Sequence, residues 1–134
     1  MKKKITVLFA GLFAVALLAF VPKATMQQNP WNVPDAAKNK VNPVKGDAAA
    51  TAKGKDLYNT HCKSCHGNKG KGDGPKAAQL DTECGDFTKT LASQTDGALF
   101  YKTSEGRKDM PSYKKKIPDA NDIWALVNYL RTLK

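Results

Sequence analysis

The feature that most constrains this chain is a cluster of two cysteines and two histidines within six consecutive residues. Residues 61–66 read HCKSCH, and the glycine- and lysine-rich run GNKGKGDGP follows at once. Thiols and imidazoles at such spacing bind a metal, attach a prosthetic group or pair with one another. The chain has only three cysteines, the third being Cys84, so disulfides within the chain would leave at least one cysteine unpaired.

Four kinds of site are compatible with this cluster. A redox disulfide of thioredoxin type between Cys62 and Cys65 requires a βαβ unit, and no segment alternates apolar and polar residues as a strand would. A zinc site needs four ligands, and only Cys84 and carboxylates remain to complete one. A bare structural disulfide leaves His66 without a role. C-x-x-C-H, by contrast, is the attachment pattern of c-type haem.

Helix geometry explains why this spacing suits haem. Cys62 and Cys65 are three residues apart, so both sulfurs lie on one helix face and can reach neighbouring vinyl groups. His66 follows directly and can present its imidazole to the iron. The sequence therefore predicts one covalently bound haem c. So large an apolar group would also complete the core of a domain with only three or four short helices.

The N-terminal segment MKKKITVLFAGLFAVALLAFVPKA combines lysines with an apolar run over residues 5–21. This pattern is typical of an export signal, and the run is near the roughly 17–25 residues that span a bilayer. We expect residues 1–24 to be a cleaved signal peptide or an N-terminal membrane anchor. Both alternatives predict a periplasmic protein, either soluble or anchored to the outer face of the cytoplasmic membrane.

Residues 25–50 contain three prolines and many Asn and Ala residues, with little apolar periodicity. That composition is typical of a linker, in which Trp31 is the one large apolar side chain. We expect either a tethered spacer or an arm packed over the domain with Trp31 as its anchor. The globular domain then spans residues 51–134.

The spacing of apolar residues predicts several helices in this domain. A first helix carries Gly54 and Tyr58 and leads into the cysteine pair. The clearest helix is PDANDIWALVNYLRTL, with Asp119 as N-cap and Asp122 placed as in a capping box. Its apolar face is broad enough to pack against two other elements at once. A third helix is expected over residues 96–103, and a further turn or two in KAAQLDTE. No sheet is expected, so the fold class is all-α.

Residues 51–134 resemble a class I (monohaem) cytochrome c domain of the bacterial c-type family. The resemblance covers nearly the whole globular part, and its haem-attachment and Met-Pro motifs are the specific ones. In chain order the matching segments are GKDLYNTHCKSCHG from Gly54, GDGP ending at Pro75, DMPSY from Asp109 and IWALVNYL from Ile123.

The resemblance implies a small all-α fold in which the first and last helices cross at a tight contact around one haem. Gly54 would permit that approach, and Tyr58 would pack against the aromatic face that carries Tyr129. The carbonyl of Pro75 would accept a hydrogen bond from the proximal ligand His66, which would fix the orientation of the imidazole.

The family pattern also implies the second axial ligand. Met110 lies far along the chain in a Met-Pro loop, whereas Met1 and Met26 lie in the targeting segment and the linker. His61 is on the attachment helix and cannot reach the opposite face of the ring. The expected axial pair of the iron is therefore His66 and Met110.

The resemblance implies a single-electron carrier that shuttles electrons between respiratory or related redox proteins outside the cytoplasm. It implies no enzyme activity and no catalytic residues. Two alternatives stay open: a peroxidase-like haem enzyme with a labile distal methionine, and a haem-free thiol oxidoreductase.

The net charge of +10 favours acidic partner surfaces, while nucleic acid is an improbable partner for an exported protein. We expect a monomer whose lysines surround the haem edge and dock acidic redox proteins. Cys84 has no role in this interpretation and is expected to be an inert, partly buried thiol, with an intermolecular disulfide as the alternative. The lysines expected at the edge are Lys63, Lys69, Lys71, Lys76, Lys108, Lys114, Lys115 and Lys116.

Overall fold

A computed structural model of the protein describes residues 30–133. Within this range the chain forms six α-helices, two 3₁₀-helices and no strand, which confirms the all-α class. None of the helices in residues 30–133 combines the length and apolarity needed to cross a bilayer. The segment expected to be a signal peptide or anchor, residues 1–24, lies outside the described residues. The helices are α1 (Asp35–Lys38), α2 (Ala48–His61), α3 (Lys63–His66), α4 (Phe87–Thr90), α5 (Asp96–Glu105) and α6 (Ala120–Leu130), with 3₁₀-helices at Ala77–Gln79 and Leu91–Ser93.

The three long helices each begin at a side-chain cap. Asp47, Thr95 and Asp119 precede α2, α5 and α6, and each side chain accepts a hydrogen bond from an amide in the first turn. These bonds satisfy donors that have no partner within the helix. Asp119 is thus the N-cap that the sequence predicts, whereas Asp122 forms an ion pair with Lys53 of α2 at 2.5 Å.

Helices α2 and α6 cross at Gly54, as the family resemblance implied. A Cβ atom at this position would lie 2.0 Å from the carbonyl oxygen of Ala125, so no side chain fits there. One turn further on, Tyr58 is fully buried and packs against Tyr129 with ring centroids 5.2 Å apart. Because these contacts involve the middle and the last turn of α6, they fix the direction of α2 along α6 and where α2 ends.

The main core lies between α2, α5 and α6. Helix α6 packs against both other helices, in agreement with its broad apolar face. Its Trp124 stacks on Phe100 of α5 at 4.2 Å between centroids. The buried residues of this core are Tyr58, Cys62, Leu91, Leu99, Trp124, Leu126, Val127 and Leu130.

Residues 31–47 form an arm on this core, which is the second of the two alternatives for this region. Val33 and Ala37 are buried against Ala98 of α5. A Cβ atom at Gly97 would lie 2.2 Å from the carbonyl oxygen of Ala37, so α1 approaches α5 closely. The arm is therefore part of the packed structure, and a tethered spacer does not describe it.

Two buried asparagines attach the arm to α6. The amide of Asn42 donates to the side-chain oxygen of Asn128 at 2.9 Å, and Asn128 in turn donates to the carbonyl of Val44 at 2.5 Å. The Val44 N–H closes the network by donating to Asn42 at 3.0 Å. Buried amides satisfied in this way hold the end of the arm in one register.

The crossing generates a stability prediction. Gly54→Ala should lower the free energy of unfolding of the haem-loaded protein by about 2–3 kcal/mol, because the added methyl must push two backbones apart. Alanine is the better helix former by about 1 kcal/mol, so helix propensity acts in the opposite direction. Gly85→Ala is the matched control, since nothing lies within 4 Å of a Cβ at that position. Equal urea midpoints for Gly54→Ala and wild type would contradict the tight crossing.

Candidate functional site

The cysteine pair and its histidine occupy one turn at the end of α2. Cys62 joins α2 to the short helix α3, and its carbonyl accepts hydrogen bonds from the N–H groups of Cys65 and His66 at 3.1 and 2.9 Å. Cys62 is buried, and burial raises the pKa of its thiol to about 12. The structure therefore brings all three predicted attachment residues together on a single turn.

The glycine-rich run folds back against α3. The Gly74 N–H donates to the carbonyl of Cys65 at 3.1 Å, and the Gly72 N–H donates to that of His66 at 3.0 Å. A Cβ atom at Gly74 would lie 2.4 Å from the carbonyl oxygen of Ser64, so only glycine permits this approach. The run thus forms the turn beneath the cysteine pair and carries Pro75 to the side of α3.

His66 has the properties of a metal-binding imidazole. Its ring stacks on Phe87 with centroids 4.5 Å apart, and burial lowers its pKa to about 4, so the ring is neutral at physiological pH. Its Nδ1 is buried without a hydrogen-bond partner, so the expected bond to the Pro75 carbonyl is not formed here. A buried unpaired nitrogen is costly, and iron bound at the other ring nitrogen would leave Nδ1 still in need of an acceptor.

Met110 closes a tight turn after α5. The N–H of Arg107 donates to the carbonyl of Met110 at 2.7 Å, and the N–H of Met110 donates back to Arg107 at 3.0 Å. Gly106 and Lys108 both have positive φ angles, 68° and 53°, and the value at Lys108 is unusual for a residue with a side chain. The Met110 side chain is half-buried.

Tyr113 connects the Met110 turn to the cysteine-bearing turn. Its N–H donates to the carbonyl of Thr103 at 3.2 Å, and its hydroxyl donates to the carbonyl of His61 at 2.8 Å. Tyr113 is buried with Ile117 and Ile123 in a small second core. The loop that carries Met110 is therefore bonded to the residue directly before Cys62.

Cys84 lies at this site, which the sequence did not indicate. Its thiol is within hydrogen-bonding reach of Cys65, and burial, the Cys65 thiol and the Asp109 carboxylate together raise its pKa. Cys84 is a free, partly buried thiol, and Asp109 is the residue before Met110. No spacing rule links Cys84 to the motif, because a long irregular segment separates them along the chain.

The surface beside α3 is basic. Lys63, Lys69 and Lys71 line a surface cavity of about 380 Å³ together with Asp73 and Pro75. All three lysines are exposed. Within residues 30–133, no group of three or more His, Cys, Asp and Glu side chains could hold a metal ion, so the zinc alternative finds no ligand set there.

Comparison with known proteins agrees with this geometry. The family model described as cytochrome c matches residues 51–134, while no curated protein matches the sequence. The c-type cytochrome KustC0563 has 28% sequence identity and a TM-score of 0.51, over 60% of this chain and 96% of that chain.

A second solved structure is the Kuenenia stuttgartiensis reducing HAO-like protein complex Kustc0457/Kustc0458. It has 25% identity and a TM-score of 0.60, over 68% of this chain and 46% of that chain. This protein thus spans about half the length of the matched chain in that complex.

The family match extends over more than half of the chain and includes the cysteine pair with its histidine. A covalently bound c-type haem is therefore its cofactor, and the residues on the turn after α2 are chemically suited to hold it. The chain belongs to the cytochrome c family, whose haem-based chemistry is electron transfer.

Proposed function

We propose that this protein is a single-electron carrier in which Cys62 and Cys65 form the haem thioethers and His66 and Met110 are the axial ligands. The observation that carries the proposal is the hydrogen bond from Tyr113 to His61 at 2.8 Å, because it joins the Met110 loop to the cysteine-bearing turn. The bound haem supplies the one-electron couple between Fe(II) and Fe(III).

The residues of this chain would set the properties of that couple. Burial keeps His66 neutral, which is the form that donates to iron. A methionine thioether raises the reduction potential of haem relative to a second histidine. If His66 and Met110 both held the iron, they would leave no open position for a substrate, which favours a carrier over an enzyme. In the haem-loaded protein, the acceptor that we propose for the Nδ1 of His66 is the Pro75 carbonyl, since the loop that carries Pro75 runs along α3.

We further propose that the protein works in the periplasm as a monomer and docks acidic redox proteins. The export-type segment of residues 1–24 supports the location, and c-type cytochromes are typically extracytoplasmic. The exposed lysines beside α3 and after Met110 support the choice of partner, because a positive surface accelerates encounter with a negative one.

The attachment residues can be tested directly. Cys62→Ala combined with Cys65→Ala should abolish covalent haem and leave the domain without cooperative unfolding, because haem completes the small core. The mass of the intact protein reports attachment, and thermal melting followed by circular dichroism reports folding. Cys84→Ala is the matched control and should retain the full haem mass. Haem that stays covalently bound in the double variant would contradict the assignment.

The sixth ligand has its own test. Met110→Ala should abolish the methionine–iron charge-transfer band, lower the reduction potential and open the iron to cyanide, because alanine has no atom that can bind the iron. Met26→Ala is the matched control and should change none of these properties. If the wild-type protein binds cyanide as fast as Met110→Ala does, the haem-enzyme alternative with a labile methionine gains support and the carrier proposal fails.

The docking surface can be tested with charge reversals. Lys71→Glu combined with Lys115→Glu should slow electron transfer to an acidic redox protein about tenfold at low salt and flatten its ionic-strength dependence. Lys45→Glu combined with Lys55→Glu changes the net charge by the same amount, at positions just before α2 and in its middle, and should have little effect. If stopped-flow experiments show that both double variants slow electron transfer equally, the effect comes from net charge alone and the docking surface is contradicted.

A further inference from the structure

Trp31 contacts two cations, one of which belongs to the Met110 turn. The Cζ atom of Arg107 is 4.6 Å from the centroid of the indole ring, and the Nζ atom of Lys102 is 5.6 Å from it. Both distances are within the range of about 6 Å at which a cation is attracted to an aromatic face. Trp31 precedes residues 51–134, so it is no part of the family match.

The position of Trp31 is fixed by the arm. The indole packs against the small cluster that Val33, Ala37 and Ala98 form, with Tyr101 beside it. The hydroxyl of Thr95, the N-cap of α5, donates to the carbonyl of Lys38 at 2.8 Å. The ring is therefore held against α5 while it also contacts Arg107.

Arg107 forms the turn that presents Met110. Its N–H and carbonyl make both backbone hydrogen bonds to Met110, so a displacement of Arg107 moves Met110 directly. The turn also contains Lys108 in the left-handed region, a conformation that persists only where surrounding contacts enforce it. The contact between Trp31 and Arg107 is one of these contacts.

The two cations repel one another. Burial lowers the pKa of Lys102, and the charge of Arg107 lowers it further. The electron-rich face of the indole offsets this repulsion. Loss of the ring would remove this offset, so Arg107 and the Met110 turn bonded to it would be held less firmly.

We infer that Trp31 is a positioning residue for Met110: by holding Arg107, the N-terminal arm fixes the turn that carries the proposed sixth ligand. The inference rests on the proposed His66/Met110 ligation. It gives the arm a part in setting how firmly the thioether stays on the iron.

The test uses the full-length, haem-loaded protein and measures the rate of cyanide binding to the oxidised form and the intensity of the methionine–iron band. Trp31→Ala should accelerate cyanide binding about fivefold and weaken the band, an effect of the size expected for one partly exposed cation–π contact. Trp31→Phe retains an aromatic face and should bind cyanide within about twofold of the wild-type rate.

A double-mutant cycle shows whether Trp31 acts through Arg107. Arg107→Met should accelerate cyanide binding about as much as Trp31→Ala, and the double variant should be no faster than either single variant. If the acceleration in the double variant equals the product of the two single accelerations, the two side chains act independently and the inference is overturned.

The outcomes also separate this inference from the ligation on which it rests. A wild-type spectrum without the methionine–iron band overturns the proposed ligand and the inference together. A wild-type band that persists at full intensity in Trp31→Ala, with an unchanged cyanide rate, overturns the inference alone, even if the variant melts at a lower temperature.

Discussion

The crossing of α2 and α6 at Gly54 is the contact on which the remainder of the structure depends. With only hydrogen as a side chain, position 54 lets the backbone of Ala125 approach to a distance that no other residue allows. The crossing fixes the end of α2, and therefore the turn that carries Cys62, against α6. The other face of α6 packs on α5, whose last turn leads into the Met110 loop. One helix contact thus determines the frame for both sides of the site.

Within that frame, Tyr113 couples the two sides of the site. Its backbone is bonded to α5 and its hydroxyl to the last residue of α2, so the Met110 loop cannot move away from the cysteine-bearing turn without breaking a partly buried hydrogen bond. Burial raises the pKa of this hydroxyl to about 12, so it remains a donor throughout the physiological range. The protein therefore holds the two sides together with its own side chains, in addition to any ligation by the iron.

The sequence predicts those parts of the fold that short-range patterns determine. The span of α6 and its cap at Asp119 follow from periodicity and capping, and the grouping of Cys62 with His66 follows from spacing alone. The sequence does not decide between a spacer and a packed arm, because Pro and Asn are typical of linkers and the pairing of Asn42 with Asn128 joins residues 86 positions apart. The sequence does not predict the position of Cys84 beside Cys65 for a similar reason, because the segment that brings the two residues together is irregular.

The arm shows that the packed structure begins before the family domain. Asn128 is buried in the last turn of α6, where an unpaired amide would be strongly destabilising, and its partners Asn42 and Val44 both lie in the arm. Gly97 lowers the helix propensity of the first turn of α5, and it is required there only because Ala37 lies against it. Both residues are thus suited to a domain that carries the arm. A fragment cut at residue 51 would leave Asn128 without these partners and expose the apolar surface of α5 that the arm covers.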